Sequence, residues 1–146
     1  MNLSQARDTA AAAGIPQECR EWLRHVADQL IPASATMPSA GDAGLGDGQL
    51  DVVLRARPDL IRDLLRAWSS TSDLAPAETL DELRQLDESA YQAVLLIVAG
   101  GYYTSPEVRH LLGYAGQQPR TVRIADDIDE DMLMRVVERG PRYRRA

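Results

Sequence analysis

The sequence predicts an all-α fold, a compact helical bundle of about six to seven helices with one long Gly/Pro-containing loop and an extended C-terminal segment. Two observations carry that prediction. Apolar residues recur at three- and four-residue steps through most of the chain, the spacing that lines one face of a helix. Prolines and glycines fall at the edges of those runs, where they start and stop helices. No strand-rich region and no internal repeat compete with this pattern.

Residues 1–14 are Ala-rich and polar and read as a flexible N-terminal segment. Residues 15–140 read as a single helical domain, and 141–146 as a basic tail. The first helix is expected from about Pro16 to Leu30, with Cys19, Trp22, Leu23, Val26 and Leu30 on one face. Ile31-Pro32 ends it, because the residue before a proline resists the helical conformation. Ala33 to Gly48 reads as a loop, long enough that it must pack by its own small residues or touch a partner. Leu50, Val53 and Leu54 mark a short helix ending near Arg57. Pro58 opens another with Leu60, Ile61, Leu64, Leu65 and Trp68 as its stripe, and Ser69 to Ser72 reads as a polar break.

Pro76 opens a helix with Leu80, Leu83 and Leu86 facing inward. The run Ala93 to Ala99 is apolar on every face, which marks a central helix with neighbours all round. Gly100-Gly101 is expected to end it. Thr104-Ser105-Pro106-Glu107 then starts a new helix, with a hydroxyl N-cap and proline in the first position, and Gly113 stops that helix. Gln117 to Ala125 reads as extended, with Thr121, Val122 and Ile124 able to form one weak strand. The last helix is expected over about Asp129 to Arg139, turning Met132, Leu133, Val136 and Val137 inward. Its acidic start and its arginines at the end follow the helix dipole.

The totals narrow the function classes. The formal net charge of −6 over 146 residues speaks against general binding of nucleic acid or anionic membrane. A single cysteine permits no internal disulfide and fits a reducing compartment. No stretch has the length of a secretory apolar core or a bilayer span. Together these imply a cytoplasmic chain. Phe is absent, so two Trp and five Tyr carry all the large ring volume.

Residues with chemistry of their own are few. His25 and His110 lie in different helices with no second ligand at metal spacing, and read as surface or interface histidines. Cys19 sits on a buried stripe without an activating base. The carboxylates at 126–131 lack the alternating ligands and the glycine of a calcium loop. The glycines at 41–48 are followed by no Gly-Lys-Ser/Thr and form no phosphate loop. No catalytic, metal or cofactor-binding residue is assigned in this chain. A contact surface is the better reading: Tyr102, Tyr103 and Tyr114 surround the turn before and after Pro106, and tyrosine suits interfaces. Trp68 and the tail residues Arg142 and Tyr143 join them as candidate partner-binding positions. The competing reading is that the rings plug the end of the bundle.

Four segments in order are Leu30-Ile31-Pro32, Ala40-Gly41-Asp42-Ala43-Gly44 before Leu50-Asp51, Gly101-Tyr102-Tyr103-Thr104-Ser105-Pro106, and Leu112-Gly113-Tyr114-Ala115-Gly116. Over residues 16–120 this combination resembles the gluconate 2-dehydrogenase subunit 3 family. The resemblance implies a small, non-catalytic subunit that binds a large oxidoreductase of the glucose-methanol-choline type. The FAD and the sugar or glycoside chemistry would then belong to the large flavoprotein subunit. Family members often carry a twin-arginine export signal, and its absence implies a shorter, cytoplasmic form. The residues alone leave a second reading open: a stand-alone helical homo-oligomer, a homodimer when isolated, that binds no flavoprotein.

Overall fold

The computed structural model describes residues 14–118 and 129–140. Seven α-helices and no strand are present among them. They are α1 (Gln17–Leu30), α2 (Gly48–Ala56), α3 (Ile61–Thr71), α4 (Pro76–Leu86), α5 (Glu88–Thr104), α6 (Pro106–Leu111) and α7 (Glu130–Arg139), with a 3-10 turn at Pro58–Leu60 leading into α3. The fold is all-α. The chain divides into two units at Gly116, 1–115 and 116–146. The expected N-terminal segment, the strand at Thr121, Val122 and Ile124, and the tail with Arg142 and Tyr143 lie outside the described residues.

In the first unit α5 is the axis, packed against α2, α3, α4 and α6, while α1 lies against α3 and α4. α1 buries Cys19, Trp22, Leu23 and Val26, four of the five residues of the expected stripe, together with Ala27, while Leu30 is partly buried. α5 buries Ala90, Ala93, Val94, Ile97, Val98, Gly101 and Tyr102. That is one face of a helix, so the expectation of neighbours all round is corrected. Leu96 and Ala99 stay exposed on the other side, because no element covers that side among the described residues.

Gly100 and Gly101 do not end the helix, which runs on to Thr104. Gly101 serves packing instead: a methyl group there would collide with Leu45 Cδ1, so the loop can approach only a bare Cα. The loop from Pro32 to Asp47 packs by its own small residues, burying Ser39, Ala40, Ala43 and Leu45. Its turn is held by Asp28, whose Oδ1 accepts from Gly41 N at 2.7 Å, and its backbone reverses at Gly44, where φ is +91°.

Two further expectations are corrected. The hydroxyls at 69–71 do not break the chain; α3 continues to Thr71, and the Ser69, Ser70 and Thr71 hydroxyls donate to carbonyls of the preceding turn. α4 buries Thr79 and Leu83 and leaves Leu86 75% exposed. Thr79, Leu83 and Leu86 share one side of the helix, but Leu86 is its last residue, where no described element covers that side. In the second unit no residue of α7 is buried, and Met132, Leu133, Val136 and Val137 are all exposed rather than inward.

Candidate functional site

The corner where α5 hands over to α6 is built from residues 101–114. Gly101 lets α5 run close past Leu45, and the helix then delivers Tyr102 and Tyr103 to opposite sides. Tyr102 is 4% exposed and belongs to the core. Its hydroxyl donates to the Pro38 carbonyl at 3.0 Å, which pins the loop to the end of α5. Burial, helped by the neighbouring Tyr103, holds its phenol above the usual tyrosine value. Tyr102 is therefore corrected from a surface contact to an interior plug, because the ring fills the gap between α5 and the loop. Tyr103 is 60% exposed, its ring edge-on to Tyr102 at 5.4 Å between centroids.

Thr104 closes α5 by donating its hydroxyl back into the helix, 2.7 Å from the Gly100 carbonyl, and it also lies 3.1 Å from Gln49 Oε1. Ser105 precedes the new helix and is buried, but its side chain makes no capping bond. Pro106, exposed, opens α6 from the first position, where its missing N–H costs nothing. Val108 is the residue by which α6 grips the core, whereas Leu111 and Leu112 stay exposed. Gly113, at φ +69°, turns the chain back so that Tyr114 N donates to the Arg109 carbonyl at 2.9 Å.

This return brings the Arg109 guanidinium over the Tyr114 ring, 5.0 Å from its centroid, while Tyr114 itself is 55% exposed. Tyr103, Thr104, Arg109, Leu112 and Tyr114 line an open hollow of about 630 Å³. Of the candidate partner-binding residues, Tyr103 and Tyr114 share this hollow and Pro106 lies in the sequence between them. Trp68 stands elsewhere, on α3, half-buried against the core. Arg142 and Tyr143 lie outside the described residues.

Arg109 was not singled out from the sequence, and Leu112 was named there only within its motif, not as a contact residue. Arg109 is recognisable only once the turn at Gly113 is known, since five residues of separation place it beside Tyr114 only through that left-handed step. Elsewhere the chemistry is sparse. Burial pushes the Cys19 thiol up to about 11, against the opposing pull of Arg20. Among the described residues no three His, Cys, Asp or Glu side chains gather as a metal site. No described helix is long and apolar enough to cross a membrane. No protein-family model, curated protein or solved structure matches the chain.

Proposed function

We propose that the chain is a non-catalytic small subunit that binds and stabilises, or helps mature, a large FAD-dependent oxidoreductase of the glucose-methanol-choline type, acting in the cytoplasm on a sugar or glycoside. The observation that carries this reading is the apolar corner at Tyr103, Leu111, Leu112 and Tyr114, where four large side chains are exposed around one helix junction. Exposed rings and leucines gathered at one place mark an interaction surface more often than scattered ones do. The resemblance of residues 16–120 to the gluconate 2-dehydrogenase subunit 3 family supplies the kind of partner. FAD and the redox step belong to that partner.

The physical mechanism is mass action. A small subunit that binds only the folded flavoprotein stabilises it, by about 2.7 kcal/mol when present at a hundred times its dissociation constant. Co-expression with the flavoprotein is expected to raise its soluble, FAD-loaded yield, read from flavin absorbance per milligram of protein. An unchanged yield would overturn the reading.

The exposed stripe of α7 favours a second reading, a homo-oligomer without a flavoprotein. Sedimentation of the full chain separates the two. A tight dimer that Leu133→Asp with Val136→Asp converts to monomer supports self-association, and a monomer at all concentrations removes it.

A further inference from the structure

The hollow at the α5–α6 corner carries an unspent charge. Among the described arginines of α1 and α3, Arg20, Arg24, Arg62 and Arg66 each face a carboxylate. Among the described residues Arg109 faces none; its guanidinium lies over the ring of Tyr114. Glu107, two residues earlier in the same helix, makes no ion pair with it. A guanidinium held near an aromatic face still carries five N–H donors, whose fork suits a carboxylate. Tyr103 and Leu112 line the same hollow beside it and offer apolar surface.

The hollow is open rather than enclosed, so it suits a segment laid across it. With a cation at one side and apolar surface at the other, its complement is an acidic residue next to an apolar one. Resting on the partner-binding reading above, we propose that Arg109 receives an aspartate or glutamate carboxylate from the partner polypeptide, while an adjacent apolar side chain of that segment seats on Tyr103 and Leu112. The protein as a whole is acidic, with 22 acidic against 16 basic residues, so a partner presenting carboxylates is attracted through local cations such as Arg109. Charge placed this way contributes specificity and register more than raw affinity.

The test titrates the isotope-labelled full chain with two capped tripeptides, acetyl-Leu-Glu-Leu-amide and acetyl-Leu-Gln-Leu-amide, followed by amide and side-chain NMR shifts. The glutamate peptide is expected to move Tyr103, Arg109, Leu112 and Tyr114 together, with the glutamine peptide about tenfold weaker. Arg109→Gln should abolish the preference, Arg109→Lys should keep part of it, and Tyr103→Ala should weaken both peptides alike. Equal binding of the two peptides, shifts mapping elsewhere, or acetate alone reproducing the full set of shifts would each overturn the proposal. Failure here is separable from failure of the function. If co-expression raises the flavoprotein yield and Arg109→Gln raises it equally, only the role of Arg109 falls. If the yield never rises, the subunit reading falls, and the titration still decides what the hollow takes.

Discussion

At Gly101 a single hydrogen atom decides how the loop meets the central helix. Leu45 is fully buried and occupies the space a side chain would need. Gly101→Ala is therefore expected to destabilise the fold by about 1–3 kcal/mol, the usual cost of overpacking, measurable by urea unfolding. Gly100→Ala is the control, since the nearest atom, Val53 Cγ2, lies at an ordinary 3.4 Å. Tyr102 tests the other side of the same junction. Tyr102→Phe keeps the ring and removes the bond to Pro38, which should cost about 1 kcal/mol. Cys19 supplies a pH signature. Its folded-state value near 11 lies above the ordinary 9.0, so the folded protein holds the thiol proton more tightly. Its contribution is fully present below pH 9 and is lost as the pH rises toward 11. Unfolding free energies of wild type minus those of Cys19→Ala should fall over that interval by about 2 kcal/mol.

Among the elements, α5 depends on how it begins. Asp87 caps it, accepting from Ala90 N at 3.0 Å, and the same carboxylate receives Arg66 from α3, with Nη2 3.1 Å from Oδ1. Arg66 also holds Asp63 at 2.8 Å, so two acids of two elements share one guanidinium. The Arg66 hydrogen bond first, and the Ala90 amide second, hold the Asp87 carboxyl below its ordinary 3.8. A depressed acid stabilises above its unfolded value and loses that stabilisation as pH falls through the folded one. Thermal melts of wild type and Asp87→Asn should therefore differ at neutral pH and converge below pH 3.8. The starts of these helices were legible in the sequence, because proline before α4 and α6 and the α1 stripe are local signals. The inward face of α4 and the exposure of α7 were not. Thr79 is buried and Leu86 exposed although they share one side of α4, since the neighbouring elements and not hydrophobicity decide which turns of that side are covered.

Over the whole molecule the consequential feature is what stays uncovered. Tyr103, Leu111, Leu112 and Tyr114 contribute little to the core that Val108 and Tyr102 anchor beside them. Tyr103→Ser with Leu112→Ser is thus expected to leave the melting temperature of the isolated chain within about 2 °C, since surface changes shift stability by less than about 0.5 kcal/mol. The same double variant should lose the gain in flavoprotein yield. Loss of stability in the isolated chain would place these side chains in the fold's own support and remove them from the interface.

The amino-acid order by itself determined that the chain is helical, where most helices begin, and that small residues fill the loop before Gly48, with which α2 begins. Helix periodicity and proline or glycine punctuation are local properties, written within a few residues of where they act. Only the tertiary structure decided that Gly101 serves Leu45 rather than a helix end, that Tyr102 turns in while Tyr103 turns out, and that Arg109 reaches Tyr114. The first two depend on which surface of one segment meets which surface of another far along the chain, a choice of which adjacent residues of one helix carry no mark, and the third on the left-handed turn at Gly113.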